Sequence, residues 1–404
     1  MWHWFTHKSV RTKMLMLSAA FVLPITVLFL LLMRETSKSI DFALHEKAGN
    51  QYQRPLEDLL DLLPRHQWAA QACLNNPTDP KSQAELLAIE TQIAAAFQNL
   101  NVVHARLGEE LEFTPEVLQQ HHRERCTPAA VFQEWEALRT KQMQFQRSAS
   151  DLLHQRLITD VRTMITHAGD SSKLILDPDL DTYYLMDVTL LALPQAQERL
   201  AEAATCAADI LRHPPISAED KSNLDIYSAF LQRDDRERIE VSSVTSLNED
   251  INCYDVSPTL HQKLPPALQK YFTAADRFQS VLEKIRAGDT RDLTPEQVLA
   301  SGTEARTEAM LLWQTSVDEL DTLLDHRIAF LERELTWAIV LVCVALLATV
   351  SFVVLVLRSI NQPLAARVVQ VEKALHRSED DLEARMKELA ARNEELNANA
   401  RALT

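Results

Sequence analysis

The chain has 404 residues, a formal net charge of −16, only five glycines and 6% aromatic residues. An acidic balance offers no basic footprint for nucleic acid, and the scarcity of glycine and aromatics argues against turn-rich sheet folds such as a β-sandwich sensor. Charge is unevenly spread: residues 1–13 carry +3 from Lys8, Arg11 and Lys13, the tail 358–404 holds eight basic and eight acidic residues, and the middle carries −19.

The first predicted element is an uncharged run of 20 residues, Met14–Met33. It matches the roughly 20 apolar residues that cross the hydrocarbon core as a helix. It is too long for a typical signal-peptide apolar region and no small-x-small cleavage site follows it, so it reads as an uncleaved anchor. A second uncharged run of 23 residues, Leu335–Leu357, lies 301 residues further on. Lys and Arg near the spans place the N-terminus and the tail (Arg358, Arg367, Lys373, Arg377) in the cytoplasm, with Arg34 and Lys38 weakening that assignment slightly. The acidic middle is then periplasmic in a Gram-negative cell. The expected organisation is 1–13 cytoplasmic, 14–33 first span, 34–334 sensor region, 335–357 second span, 358–374 linker and 375–404 signalling helix.

Within 34–334 a capping residue followed by proline recurs, at Asp79-Pro80, Thr114-Pro115, Thr127-Pro128, Asp177-Pro178, Ser257-Pro258 and Thr294-Pro295. Asp, Ser or Thr can cap exposed N–H groups, and proline is at home in the first helical position. Thr294 with Gln297 has capping-box spacing, and Ser217 with Asp220 resembles one. These signals predict helices over 35–63, 64–75, 80–107, 128–143, 145–176, 178–212, 217–255, 258–287 and 295–335. Pro64 is expected to end or kink the first of these, and Pro194 to kink the sixth. In the last, Met310, Trp313, Val317, Leu320, Leu324, Ile328, Leu331 and Leu335 form a bundle seam, uninterrupted by Gly or Pro from Thr303 through the second span.

The tail carries leucines seven apart: Leu375, Leu382, Leu389, Leu396 and Leu403. With these at d, the a positions are Glu379, Met386, Asn393 and Ala400, and a single Asn at a is a device for a parallel two-stranded register. The expectation is a homodimeric coil, with a solvated single helix as the alternative that Glu379 favours.

Nucleotide-binding glycine motifs are lacking, and His376 lacks the acidic-then-proline context of a phosphoacceptor histidine. His121, His122 and Cys126 form a small donor cluster with too few ligands for a metal site. No cofactor is expected. Cys73, Cys126, Cys206 and Cys253 lie outside the spans, where disulfides can persist; buried free cysteine is the simpler reading, and their pairing stays open. Four carboxylates and two phenols fall within Leu176–Asp187, and Tyr184, Asp187 and Leu191 share a helical face. Carboxylates at a helix start favour the macrodipole, so a structural role competes with a ligand role.

The stretch Leu176-Asp177-Pro178-Asp179-Leu180-Asp181-Thr182-Tyr183-Tyr184-Leu185-Met186-Asp187 resembles the extracytoplasmic region of certain bacterial chemoreceptors and hybrid sensor histidine kinases. Arg11-Thr12-Lys13, Ile40-Asp41-Phe42-Ala43, Arg54-Pro55-Leu56, His167-Ala168-Gly169-Asp170-Ser171-Ser172 and Leu191-Ala192-Leu193-Pro194 extend the resemblance over roughly 1–65 and 160–200. It implies an all-α sensor of one or two periplasmic four-helix bundles, dimeric, in the bacterial inner membrane, responding to a periplasmic small molecule or protein. Arg54, Asp181, Tyr183, Tyr184 and Asp187 are the candidate ligand contacts. Arg358-Ser359-Ile360-Asn361-Gln362-Pro363-Leu364 resembles the start of a HAMP relay helix, but the rest of that unit is not recognisable and the coil looks most like the helix that precedes a kinase core. The expected function is a transmembrane receptor relaying to a cytoplasmic kinase or output module. The alternatives are the sensory half of a truncated or split histidine kinase, which would be enzymatic only through a part this chain lacks, and a membrane scaffold that recruits a cytoplasmic partner.

Overall fold

The computed structural model describes residues 9–402. The protein is all-helical, 89% helix, with no strand among the described residues. In chain order the helices are α1 Val10–Asn75, α2 Pro80–Leu107, α3 Pro115–Gln120, α4 Pro128–Lys141, α5 Arg147–Ser171, α6 Leu180–Met186, α7 Leu193–Arg212, α8 Ala218–Ala229, α9 Glu237–Glu249, α10 Pro258–Ala287 and α11 Pro295–Ala402. Two π-helical segments, Asp187–Ala192 and Phe230–Arg236, join α6 to α7 and α8 to α9.

The cap signals act as local chemistry dictates. Asp79 accepts from the backbone N–H groups of Lys81 and Ser82, Thr114 from Val117, Thr127 from Ala130 and Ser257 from Leu260. Ser217 and Asp220 form a reciprocal capping box, as do Thr294 and Gln297. One expectation is corrected. Pro64 does not end a helix: α1 runs through Pro24, Pro55 and Pro64. A proline inside a helix removes one hydrogen bond and costs about 3 kcal/mol, which the apolar neighbours of buried Leu59, Leu60, Leu62 and Leu63 offset. The region around Pro194 departs from α geometry one turn earlier than proline itself, in the Asp187–Ala192 π segment; the longer turn accommodates the missing donor and the ring.

The chain divides into two compact units, Ser37–Arg333 and Met1–Thr36 with Glu334–Thr404. In the second of these, both apolar runs belong to helices long and apolar enough to cross a membrane, and none of the apolar windows is buried. Phe21, Leu23 and Leu28 are each 66% exposed, and Leu341, Leu347 and Phe352 are similar. Leu375, Leu382, Leu389 and Leu396 are also exposed, as is Asn393, all on a single helical stretch of α11; Leu403 lies outside the described residues.

Ser37–Arg333 has a continuous apolar core. Tyr52, Leu56, Leu59, Leu60 and Leu63 of α1 lie in it, with Val161, Met164 and Ile165 of α5, Leu193 and Leu200 of α7, Phe278 and Leu282 of α10 and Leu312, Trp313, Val317, Leu320 and Leu324 of α11. The α11 seam is wider than the sequence pattern, because Leu312, Ser316, Glu319 and Leu323 are buried beside it. α1 and α11 run antiparallel. Asn50 donates to the Val317 carbonyl and to Asp321, and Arg306 donates to the carbonyls of Leu60 and Asp61. Small residues permit the closest approaches. A Cβ on Gly49 would lie 2.1 Å from Ser172 Oγ, and one on Gly302 would lie 2.6 Å from the Ala204 Cβ. A buried histidine pair ties α1 to α5: His66 Nδ1 lies 2.8 Å from His154 Nε2, whose Nδ1 lies 2.8 Å from the Ser150 carbonyl.

Candidate functional site

α1 presents a polar stripe to the core. Glu46, Asn50, Gln53 and Glu57, spaced four, three and four residues apart, are each at most 2% exposed. Four polar residues at seam spacing are costly unless each finds a partner. Glu46 finds Arg327 of α11, which is itself 3% exposed.

Arg327 gathers groups from three parts of the chain. Its Nη1 donates to Glu46 Oε2 at 2.7 Å, and its Nη2 to Asp177 Oδ1 and Thr182 Oγ1 at 2.6 Å each. Asp179 Oδ2 lies 2.7 Å from Nε and accepts from the Tyr254 hydroxyl at 2.9 Å. The 172–180 segment delivers its carboxylates through local geometry. α5 stops at Ser171, Lys173 takes a left-handed conformation with φ of 62°, and a 3-10 turn covers Leu174–Leu176. Asp177 then accepts the Asp179 N–H at 3.0 Å in an Asx turn. So Asp177 does not cap a helix as the Asp-Pro signal predicts: α6 starts at Leu180, and the Asp177 side chain points to Arg327 instead.

One guanidinium faces three carboxylates here, and Glu46 Oε1 and Asp177 Oδ2 are buried without a hydrogen-bond partner. Burial, and then the Asp177 carboxylate, push Glu46 up to about 9 despite Arg327. Asp177 is raised by burial in the same way. The arrangement therefore disfavours ionising Glu46 and Asp177 together, while, against burial, the surrounding carboxylates raise Arg327. Three turns further along the stripe, burial drives Glu57 well above the usual carboxylate range.

The candidate ligand contacts fall in separate places. Arg54 donates to Asp318 Oδ1 at 2.7 Å and Asp321 Oδ2 at 2.8 Å, clamping α1 to α11. Asp181 is buried, accepts the Thr182 N–H at 2.8 Å and is raised by burial against a hydrogen bond from Cys253. Tyr183 is 39% exposed and edge-on to the half-buried Tyr184 at 5.4 Å. Asp187 accepts from Arg238 Nε at 3.1 Å and Nη2 at 2.5 Å and from Ser242 at 2.8 Å. Among the described residues no hydrogen bond or ion pair joins Arg54 to the α6 group, while Asp181 and Thr182 stand beside the Arg327 cluster. Cys126 is buried, its thiol pushed up to about 11 by burial, and His121 packs edge-on to His167. All five cysteines are free.

Arg327 and Glu46 escaped the sequence reading. Their signal was a charge at seam spacing: Arg327 lies three residues after Leu324, and the buried seam passes through it while Ile328 is only half-buried. No protein-family model matches the sequence, and no curated protein or solved structure matches it either.

Proposed function

We propose that this chain is a two-span sensory receptor of a bacterial inner membrane. In this reading 34–334 is a periplasmic sensor of one or two four-helix bundles, both termini are cytoplasmic, and 375–404 pairs with a second copy as a parallel coil that biases a kinase or output module. The observation that carries it is the Arg327 cluster. It fastens α1 to α11, the two helices that contain the uncharged runs, through the 177–182 segment. A stimulus acts on such a device only by binding one packing of the helices better than another. The exposed apolar runs support a lipid environment, and the exposed leucine row from Leu375 to Leu396 supports a dimer.

Two experiments test the reading in whole cells. Reporter fusions place position 250 in the periplasm and position 370 in the cytoplasm; a cytoplasmic signal at 250 overturns it. Single cysteines replacing Leu382, Leu389 or Leu396 crosslink between subunits, whereas cysteines replacing Arg385 or Arg392 crosslink poorly. Uniform crosslinking at all five positions removes the coil.

A further inference from the structure

Pro64 sits inside α1 and is buried. It lacks the N–H that would meet the Leu60 carbonyl, and its ring crowds that carbonyl, which weakens the turn before it. Leu60 is 1% exposed, so solvent is a poor substitute donor. The donor comes from α11. Arg306 Nη2 lies 3.2 Å from the Leu60 carbonyl oxygen and 3.0 Å from that of Asp61. The same guanidinium lies 5.5 Å from the centre of the Trp68 ring, about one turn after the proline. One side chain therefore holds α1 on both sides of the break. It does so in a costly place. Arg306 is 1% exposed, its Nε and Nη1 have no hydrogen-bond partner, and Asp61 Oδ1 faces it at 3.4 Å. Burial lowers this guanidinium against the pull of Asp61.

We propose that Pro64 is a hinge of α1 and that Arg306 is the clasp that holds it closed, so that the position of α11 decides whether α1 is continuous or bent. A permanently rigid helix needs neither residue. A helix former at 64 supplies its own donor, and an apolar side chain at 306 avoids a buried cation with two idle nitrogens. The two residues account for each other: the proline creates the free acceptor, and the guanidinium fills it. The two arms of α1 also carry different ties. Before Pro64, Asn50 donates to the Val317 carbonyl and Arg54 to Asp318 and Asp321, all in α11. After it, His66 meets His154, and Gln67 and Gln71 donate to Asp151, both in α5. A shift of α11 relative to α5 therefore loads α1 at the proline, where an unclasped helix gives way. Gln197 of α7 donates to the Arg306 carbonyl at 2.8 Å and ties down the turn that carries the clasp. The device belongs to Ser37–Arg333 and does not depend on the receptor reading.

The test is amide hydrogen exchange of the full chain in lipid nanodiscs, read by mass spectrometry for Arg306→Met, Pro64→Ala and the double variant. Arg306→Met raises exchange in the α1 peptides around Pro64 at least tenfold, while peptides of α10 exchange as in the parent. Pro64→Ala supplies the missing N–H to the Leu60 carbonyl, so the double variant returns to within about threefold of the parent. If Arg306→Met alone does not fold, recovery of a folded chain in the double variant is the same rescue and supports the clasp. A double variant that exchanges as fast as Arg306→Met, or that also fails to fold, overturns the proposal. So does unchanged exchange around Pro64 in Arg306→Met, or a rise spread equally over α10, which marks general destabilisation instead of a local hinge.

Discussion

Replacing Glu46 by Gln and Arg327 by Met separates a protonated buried acid from an ionised one. Glu46 is fully buried, and its carboxyl is raised from 4.5 to about 9, so the folded state binds this proton far more tightly than the unfolded chain. The sign follows from linkage. The stabilisation is fully present below the unfolded value of 4.5 and is lost as pH rises toward about 9. Each pH unit in that window removes up to about 1.4 kcal/mol, less near the folded value, so going from about pH 7 to about pH 9 weakens the fold by roughly 2 kcal/mol. Glu46→Gln mimics the protonated acid, keeps an acceptor for Arg327, and erases this slope at a cost of about 1 kcal/mol or less near neutrality. Arg327→Met instead strands Asp177 and Asp179 and costs about 3–5 kcal/mol. Thermal melts of the full chain in detergent, followed by far-ultraviolet circular dichroism across this pH range, read both effects. If Glu46→Gln falls with pH in parallel with the parent, or is as damaging as Arg327→Met near neutrality, Glu46 is ionised and the protonated-cluster argument is refuted.

At the acid side, burial lowers His154 from 6.5 to about 3, so its contribution is complete above 6.5 and is lost as pH falls toward about 3. The parent therefore melts progressively lower on acidification, and His154→Gln shows a flatter dependence; an identical slope counts against a neutral buried His154. Gly49→Ala forces a Cβ against Ser172 and lowers stability by about 1–3 kcal/mol, visible as a lower melting midpoint. Gly288→Ala meets open space and costs only the left-handed backbone strain at φ of 81°, about 1–2 kcal/mol, whereas an unchanged midpoint in Gly49→Ala would discredit the close approach of α1 to Ser172. Asp187→Ala leaves Arg238 and Ser242 without their acceptor and lowers the melting midpoint by the equivalent of about 1–3 kcal/mol; an unchanged midpoint with lost ligand response would favour a ligand contact at Asp187.

What the amino-acid sequence determined by itself was local or periodic. The uncharged runs at 14–33 and 335–357, the caps at Asp79, Thr127, Ser217, Ser257 and Thr294, and the Met310–Leu324 seam all act through neighbouring backbone or one helix face. Such signals can be read without knowing what lies across the core. Asp177-Pro178 shows where that stops: it has the same cap-and-proline form as Asp79-Pro80, yet its carboxylate turns to Arg327, 150 residues away, because a buried guanidinium outweighs an exposed helix end. Pro64 makes the same point for backbone. Its cost is fixed locally, but whether the helix survives depends on burial that only the packing of α1 supplies. The tertiary structure alone decided that Glu46, Asp177, Asp179, Thr182 and Arg327 meet, and charge at a seam position became informative once three distant segments excluded water from it.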